Sequence, residues 1–193
     1  MNKFDIVVID PPYRFSDALS MSATKRSAQA NYDTMSLDDI LSLPVENIVS
    51  DNAIIALWVP SSMLGGGMKL IQKYGFIQKQ IYTWVKTTKS GKVAFNMGRQ
   101  FRGATEHALI GAKGKPKPFS KSERNVDLSI NLKHSQKPEH LQDKLEKMYP
   151  DANKLEMFAR RDRTGWTCVG NECPSTLGIT IEEWISANLL GDQ

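Results

Sequence analysis

Short apolar runs separated by polar segments make up most of this chain, and most runs have the length of a β-strand. Phe4–Ile9 is rich in β-branched residues and stops at an acid and two prolines, and Ala53–Val59 is apolar throughout and stops at Pro60. Both runs predict buried strands. Further strands are predicted at Phe76–Val85, Glu106–Gly111, Lys154–Phe158 and Trp166–Val169.

Helical patterns lie between these strands. Ser36 is a predicted N-cap, and Asp38 and Asp39 supply an acidic first turn for a short helix that ends near Leu41. Other helices are predicted over Ser61–Tyr74, Pro138–Met148 and Ile181–Leu190. Strands that alternate with helices predict an α/β doubly wound sheet, whose ligands bind beyond the carboxyl ends of the strands. The 193 residues suit a single domain over residues 1–193.

Three long polar segments are predicted to be mobile loops, at residues 14–34, 86–103 and 113–133. Loops longer than about 12–15 residues in a compact domain are usually functional. The net charge of the chain is +4, yet the stretch from Lys86 to Arg124 holds ten Lys or Arg and two acids, a local balance of +8. This concentration of charge predicts an anionic partner on one face, and the alternative is a solvated loop.

The two basic loops are expected to flank one edge of the sheet and to grip the phosphate groups of a nucleic acid. The second loop carries the basic residues between Lys113 and Arg124. In the first loop Phe95, Met97 and Phe101 are interleaved with the charges, and they are of a size to fill a gap in a base stack. The candidate phosphate contacts of that loop are Lys86, Lys89, Lys92, Arg99 and Arg102.

Composition argues against membrane and metal-binding classes of protein. No apolar run approaches the roughly 18 residues that span a bilayer, and the segment before Asp10 lacks the layout of a signal peptide. Cys168 and Cys173 have four residues between them and no neighbouring His, which is typical of free thiols rather than of a zinc site. We therefore expect a cytoplasmic protein that holds no metal.

The tetrapeptide Asp10-Pro11-Pro12-Tyr13 directly follows the first buried strand and is the candidate catalytic motif. The exocyclic amine of adenine is a poor nucleophile because its lone pair is delocalised into the ring. A carboxylate and a backbone carbonyl that accept its two N–H bonds hold the nitrogen toward tetrahedral geometry, and Asp10 and Pro11 can supply these acceptors. Paired prolines fix φ and remove backbone donors, and Tyr13 is expected to stack on a base taken out of the duplex.

This motif resembles the DPPY/DPPW signature of amino-methyltransferases that act on adenine N6 or cytosine N4. Further motifs follow in order, and together they are similar to the family of the eukaryotic messenger-RNA adenosine methylase and its bacterial and phage relatives. The likeness runs from about Phe4 to Glu172. The matching segments are Leu57-Trp58-Val59, Thr83-Trp84-Val85-Lys86, Glu106 to Gly114, His134 to Glu139, Lys154 to Arg160 and Gly165 to Glu172.

The resemblance implies a Rossmann-like S-adenosylmethionine-dependent methyltransferase fold with a mixed, mostly parallel sheet. Because the catalytic motif precedes the cofactor strand, the fold is expected to be circularly permuted. The implied activity is methyl transfer from S-adenosylmethionine to the N6 amine of adenine in nucleic acid. The small size favours DNA over RNA and leaves a homodimer possible.

The resemblance also assigns residues to the cofactor. Lys113 matches a lysine that contacts the cofactor carboxylate, with Lys115 and Lys117 as alternatives in the same loop. His107 and His134 are interpreted as structural or as substrate contacts, because a strong base is not needed for this reaction. The complete predicted cofactor set is Asp10, Lys113, Lys137, Arg160, Arg163, Asn171 and Glu172, in which Arg163 belongs to a turn that departs from the family pattern and Lys137 opens a helix beside the site.

Several alternatives stay open at this point. The chain resembles enzymes that methylate adenine in RNA and those that methylate cytosine N4 in DNA, although the latter more often carry Ser in place of Asp10. A catalytically inactive subunit that only binds nucleic acid is a further alternative. The intact tetrapeptide argues against it, and binding of S-adenosylmethionine separates the two.

Overall fold

The computed structural model describes residues 3–14, 34–98, 100–130, 136–170, 173, 180, 183–184 and 186–187. Within this part, seven strands form one sheet, and four helices accompany it. The strands are β1 (Phe4–Ile9), β2 (Val49–Val59), β3 (Ile77–Thr87), β4 (Thr105–Lys113), β5 (Val126–Ile130), β6 (Lys154–Met157) and β7 (Thr167–Val169). The helices are α1 (Leu37–Leu41), α2 (Val45–Ile48), α3 (Leu64–Lys73) and α4 (His140–Met148).

The sheet has the strand order β5-β3-β4-β2-β1-β6-β7. Every neighbouring pair is parallel except those made by β4, which is antiparallel to both β2 and β3. Six strands therefore end at one edge, called here the carboxyl edge, and β4 ends at the opposite, amino edge. This mixed, mostly parallel sheet confirms the predicted fold class.

The central strand β1 lies between β2 and β6, although almost the whole described chain separates β1 from β6. Ile9 pairs with Leu57 of β2 on one side and with Met157 of β6 on the other. The segments that follow β1 and β6 consequently leave the sheet side by side at the carboxyl edge. This neighbourhood is what the predicted circular permutation requires.

The two faces of the sheet are covered by different helices. Val7 and Ile9 point to a core that includes Leu70 and Ile71 of α3. Their neighbours on β1 point to the opposite core, which includes Leu141 of α4. Because successive strand residues alternate between faces, an apolar run such as β1 can only lie in a sheet that is buried on both sides. None of the described helices is both long enough and apolar enough to cross a membrane.

Helix α1 begins as the sequence predicts. The Ser36 side chain accepts a hydrogen bond from the Asp39 N–H at 3.1 Å, and the Asp39 carboxylate accepts one from the Ser36 N–H at 3.0 Å. This reciprocal capping box satisfies backbone donors that a helix start otherwise leaves free. Helix α3 begins later than expected, at Leu64, because residues 61–63 form a turn of 3₁₀ helix.

Other predicted boundaries differ from the structure. The segment 113–133 was expected to be loop throughout, but Lys113 still belongs to β4 and β5 occupies Val126–Ile130. The expected first basic loop begins later than residue 86, since Lys86 still belongs to β3. Of the predicted terminal helix, residues 183, 184, 186 and 187 are helical, and its other positions lie outside the described residues, as do positions 15–33 of the first predicted loop.

Candidate active site

The tetrapeptide that follows β1 leaves the sheet at the carboxyl edge as a fixed turn. The Tyr13 N–H donates to the Pro11 carbonyl at 2.9 Å, and the Met35 N–H donates to the Pro12 carbonyl at 2.8 Å. Neither proline has an N–H, so the turn presents acceptors and no donors of its own between Asp10 and Tyr13. A carbonyl oxygen has two lone pairs, and the Pro11 carbonyl therefore keeps capacity for one more hydrogen bond.

Tyr13 holds this turn against the neighbouring strand. Its side chain is 5 % exposed and belongs to the core on the α3 face. Its hydroxyl donates to the Trp58 carbonyl at 3.0 Å. Burial, followed by the negative charge of Asp10, raises the pKa of Tyr13, so the phenol stays neutral. The structure thus places Tyr13 in the core, and its stacking on a base stays a prediction.

Beside the turn, four charged side chains from separate segments form an alternating ion cluster. The Lys137 Nζ lies 3.0 Å from Asp10 Oδ1 and 2.9 Å from Asp10 Oδ2. The same ammonium lies 3.3 Å from Glu106 Oε2, and Glu106 Oε1 lies 2.5 Å from the Nζ of Lys86. Asp10, Lys137, Glu106 and Lys86 are called the ion cluster below.

Two tryptophans line the ion cluster. The Lys137 Nζ lies 5.5 Å from the ring centroid of Trp58, and the Lys86 Nζ lies 5.0 Å from that of Trp84. Both distances are within the range of cation–π attraction. The side chains of the two lysines are each 18 % exposed. The ammonium groups are therefore held by carboxylates and rings rather than by bulk water.

The electrostatics keep both central members of the cluster charged. Burial by itself lowers the pKa of Lys137, but the Asp10 and Glu106 carboxylates outweigh it, and the net pKa is raised. Burial likewise raises the pKa of Glu106, but Lys137 and Lys86 outweigh it, and the net pKa is lowered. Opposite charges within about 4 Å favour the ionised forms. Lys137 and Glu106 thus hold each other in their charged forms.

Sequence reasoning gave no role to Glu106 and a different role to Lys86. Glu106 lies in the second position of β4, opposite Trp84 of β3. Because β4 runs antiparallel to its neighbours, its beginning lies at the carboxyl edge with Asp10. Lys86 was expected to contact phosphate from a loop, but its ammonium is paired with Glu106 inside the cluster. The signal that could have found both was the conspicuous Glu106-His107 dipeptide at the start of a strand.

The same antiparallel direction overturns the expected position of Lys113. Lys113 pairs with Ala53 of β2, whereas Asp10 follows the residue that pairs with Leu57. Five strand positions separate the levels of Lys113 and Asp10, which is about 16 Å at roughly 3.3 Å per residue. Lys113 therefore lies at the amino edge, and its alternatives Lys115 and Lys117 follow it there. The cation that lies beside Asp10 is Lys137.

Arg163, another predicted cofactor contact, is held by α4. Its guanidinium contacts Glu139 at 2.6 Å, Asp143 at 2.6 Å and Glu146 at 2.7 Å. Its side chain is 14 % exposed, and these three carboxylates lie at the start and along one face of α4. Hydrogen bonds to these carboxylates raise the pKa of Arg163, opposed by burial. Arg163 thus ties the turn after β6 to α4 with three of its five N–H donors, and its cofactor contact stays a prediction.

The turn after β6 has the shape of a ligand-binding loop. Phe158, directly after the strand, has a φ of 60°, a conformation that non-glycine residues rarely adopt and that clusters at functional sites. Gly170 packs against this turn so closely that an added Cβ would lie 2.2 Å from the Ala159 carbonyl oxygen. Arg160 is half-buried in the same turn, and its cofactor contact stays a prediction. Asn171 and Glu172, which follow Gly170, lie outside the described residues.

These features fit the chemistry of S-adenosylmethionine, which carries a carboxylate, an ammonium and a sulfonium. The buried Lys137 offers a cation to the carboxylate, and Asp10 and Glu106 offer anions to the cationic groups. Close backbone approach at Phe158 and Gly170 is what an adenosine site at the ends of neighbouring strands requires. Among the described residues no group of three or more His, Cys, Asp and Glu is arranged to hold a metal ion.

The remaining candidates lie at the surface or within the strands. His107 is hydrogen-bonded on both ring nitrogens, to Thr83 and Thr105 hydroxyls at 3.2 Å each, which agrees with its structural interpretation. His134 and Arg99 lie outside the described residues. The exposed basic residues of the segment between β3 and β4 are Lys89, Lys92 and Arg102.

Comparison with known proteins gives a consistent result. The chain matches the MT-A70 family over residues 4–172. It is 28 % identical over 190 residues to the type II methyltransferase M.MunI of Mycoplasma sp, covering 89 % of this chain and 78 % of that protein. It is 30 % identical over 180 residues to the N6-methyladenosine RNA methyltransferase MTA1 of Cryphonectria parasitica, covering 88 % of this chain and 51 % of that protein.

A third relative is much longer than this chain. Over 177 residues the chain is 24 % identical to METTL3 of Homo sapiens, the catalytic subunit of an N(6)-adenosine-methyltransferase. The match covers 89 % of this chain but 28 % of that protein. The match over residues 4–172 includes the candidate motif, the ion cluster and the turn after β6. The chain therefore belongs to the MT-A70 family, a class of S-adenosylmethionine-dependent adenine N6-methyltransferases.

Proposed function

We propose that this chain carries out its family's methyl transfer at the Asp10 site, on the N6 amine of adenine in DNA. The observation that carries the proposal is the position of Asp10. It follows the buried strand β1, borders the turn after β6, and belongs to the half-enclosed ion cluster. A carboxylate at this position can accept a hydrogen bond from an amine.

Asp10 and the Pro11 carbonyl are the two proposed acceptors for the N6–H bonds. With both hydrogens held, the nitrogen lone pair turns out of conjugation with the ring and becomes available for attack. S-adenosylmethionine supplies the electrophilic methyl group on its sulfonium. The methylated nitrogen is cationic until it loses a proton, and Asp10 is placed to accept that proton.

Lys137 is the proposed partner of the cofactor carboxylate, in place of Lys113. Its ammonium has three donors, and three carboxylate oxygens lie around it, two from Asp10 and one from Glu106. The carboxylate of the cofactor must therefore take one N–H donor of Lys137 away from Asp10 or from Glu106. If the donor comes from Asp10, that carboxylate gains acceptor capacity for the substrate amine while Glu106 keeps Lys137 charged.

Glu106 and Lys86 are proposed to position Lys137. Glu106 is the second counter-anion of Lys137, and Lys86 offsets the charge of Glu106 from its other side. The proposed role of these two residues is electrostatic, since neither is needed to touch the reacting atoms. Arg160, Asn171 and Glu172 complete the proposed cofactor contacts on the adenosine side.

The segment between β3 and β4 is the proposed contact with the phosphate backbone. Arg102 stacks over Phe95 at 4.9 Å from the ring centroid, and Phe95, Met97 and Phe101 are 78 %, 88 % and 90 % exposed. Exposed aromatic rings interleaved with cations are typical of surfaces that bind nucleic acid. The segment begins after Thr87, one residue beyond Lys86, so it borders the ion cluster at the carboxyl edge.

The choice of DNA is supported by the extent of the match to each relative. The chain covers 78 % of the type II methyltransferase M.MunI, but 51 % and 28 % of the two relatives named as acting on adenosine. RNA remains the second candidate, because those two relatives match the same motifs.

The decisive experiment supplies the chain with methyl-labelled S-adenosylmethionine and equal amounts of duplex DNA, single-stranded DNA and RNA of the same sequence. We expect label in adenine N6 of DNA, identified by mass analysis of the nucleosides, and none with Asp10→Asn. Label at cytosine N4 or only in RNA contradicts the proposed substrate. Failure to bind the cofactor in calorimetry contradicts the proposed activity as a whole.

A further inference from the structure

The segment between β4 and β5, residues 114–125, forms a second basic surface at the far side of the sheet. It is called the basic arm below. It leaves β4 at the amino edge, about 16 Å from the level of Asp10 at roughly 3.3 Å per strand residue. Its four exposed cations are Lys115, Lys117, Lys121 and Arg124. The catalytic chemistry proposed above uses none of them.

The backbone of the basic arm is fixed to the rest of the fold at several points. The Lys115 N–H donates to Asn52 Oδ1 at 2.8 Å, and the Phe119 N–H donates to the Met148 carbonyl at the end of α4, at 2.7 Å. Near its other end, Asn125 Nδ2 donates to the Ile81 carbonyl at 2.8 Å. An extended segment anchored in this way holds its side chains in defined positions without forming a helix or strand.

The positive charge of the arm is not neutralised by its surroundings. The only acid within the arm, Glu123, is directed to α4, where it lies 3.4 Å from Lys144 and 3.9 Å from Lys147. In the part of the chain that the structure describes, no carboxylate pairs with any of the four exposed arm cations. Unpaired like charges held close together repel one another, so a polyanion that binds along them gains free energy.

Phe119 adds an aromatic ring to this surface. Its side chain is 86 % exposed although its own N–H is bound to α4, so the ring is held outward by an anchored backbone. It lies between Lys117 and Lys121 in the chain. An exposed ring flanked by cations fits a nucleic-acid base stacked on the ring, with its neighbouring phosphates on the lysines.

We propose that the basic arm is a second nucleic-acid-binding surface, separate from the catalytic edge, that holds a single-stranded stretch of a long substrate. The proposal rests on a nucleic-acid substrate but not on the chemistry at Asp10. A strand bound at the arm raises the local concentration of its other adenines near the catalytic edge. Short substrates that reach only the catalytic edge gain nothing from it.

The test uses a fluorescently labelled thymine homopolymer of 30 nucleotides, which contains no adenine for the catalytic site. In anisotropy titrations, Lys117→Glu/Lys121→Glu is expected to weaken binding tenfold or more. For this variant, the slope of the logarithm of the binding constant against the logarithm of the salt concentration is expected to become shallower by about 1.4. Each of the two lost phosphate contacts contributes roughly 0.7 for single strands. Phe119→Ala is expected to weaken binding by roughly fivefold or more with an unchanged slope.

The matched control is Lys69→Glu/Lys73→Glu on α3, which changes the net charge by the same amount and leaves the arm intact. Equal loss of binding in the arm variant and in this control overturns the proposal, because net charge alone then explains the effect. The milder Lys117→Gln/Lys121→Gln serves if charge reversal unfolds the protein, which circular dichroism detects. Undiminished binding in Phe119→Ala, or an equal loss with a 30-base-pair duplex, overturns the assignment to single strands.

Methylation of a 10-nucleotide adenine-containing strand distinguishes failure of this proposal from failure of the proposed function. The arm variant is expected to methylate the short strand at the wild-type rate and a long strand at a lower rate when both are below saturation. An arm variant that methylates both the short and the long strand at the wild-type rate contradicts the arm's role. A wild-type protein that methylates neither strand contradicts the proposed function and leaves the binding test of the arm valid.

Discussion

Lys137 and Asp10 share a bidentate ion pair, with the Lys137 Nζ 3.0 and 2.9 Å from the two carboxylate oxygens. Both residues were candidates from the sequence, Lys137 as a cofactor contact and Asp10 as the catalytic carboxylate, and the structure joins them across 127 positions of the chain. The pair makes a specific link between cofactor and substrate. Any anion that draws Lys137 away changes what Asp10 can accept.

The first prediction concerns Asp10→Asn. The amide keeps the shape but loses the charge and one acceptor, so methyl transfer is expected to fall by roughly a hundredfold or more. Cofactor affinity is expected to change much less than methyl transfer, because the loss of an anion beside the cationic groups of the cofactor is offset by the loss of a carboxylate that competes for Lys137. Single-turnover assays measure the first effect and calorimetry the second. Methyl transfer within tenfold of wild type would contradict the role of Asp10.

A pair of lysine variants tests which edge of the sheet binds the cofactor. Lys137→Met is expected to weaken S-adenosylmethionine binding by roughly 1.5–3 kcal/mol, the usual contribution of a hydrogen bond to a charged group. Lys113→Met is the matched control at the amino edge, and its affinity is expected to match that of wild type. Calorimetry with both variants decides the matter, and a larger loss for Lys113→Met would reverse the assignment.

The error at Lys113 shows which part of the fold the sequence could not specify. Apolar runs predicted β1, β2, β3, β4, β6 and β7, since burial on both faces leaves a plain signal in composition. The direction of a strand leaves no such signal. The hydrophobic pattern of β4 would be the same if the strand were parallel to its neighbours instead of antiparallel. The prediction therefore placed Lys113 at the carboxyl edge, although it lies at the amino edge. It assigned no role to Glu106, which lies at the carboxyl edge.

Burial of individual side chains was also hard to predict. Tyr13 is the last residue of the catalytic tetrapeptide and was expected to stack on a base, yet its side chain is 5 % exposed and its hydroxyl donates to the Trp58 carbonyl. β5 was overlooked for the opposite reason. Its apolar residues alternate with polar ones at an edge of the sheet, and Leu128 is 63 % exposed, so the run is short and lies within a basic segment.

Tyr13 variants separate packing from catalysis. Tyr13→Phe removes the hydrogen bond to the Trp58 carbonyl and is expected to destabilise the fold by roughly 0.5–1.5 kcal/mol. Tyr13→Ala empties a core position and is expected to destabilise it by about 3–5 kcal/mol. Denaturant unfolding measures both. If Tyr13→Ala were as stable as wild type but inactive, the ring would act on the substrate rather than in the core.

Glu106→Gln tests the charge of the ion cluster through its pH dependence. The folded pKa of Glu106 is lowered, so its ionisation stabilises the fold above the unfolded value of about 4.3. That contribution disappears as the pH falls through the lowered folded pKa. The difference in melting temperature between wild type and Glu106→Gln is expected to be largest near neutral pH and to shrink on acidification. A pH-independent difference would show that the side chain acts through shape alone.

Two neighbouring lysines of the chain provide the last prediction. Lys86 is 18 % exposed and bound to Glu106, whereas Lys89 is exposed in the segment that follows β3. Lys86→Gln is expected to lower kcat, because the counter-charge of Glu106 is lost, and to leave the salt dependence of nucleic-acid binding unchanged. Lys89→Gln is expected to leave kcat unchanged and to reduce the log–log salt slope by about 0.9 for duplex DNA, the contribution of one phosphate. The sequence predicted both lysines as phosphate contacts. An equal change of the salt slope in both variants would support that prediction and contradict the role of Lys86 in the ion cluster.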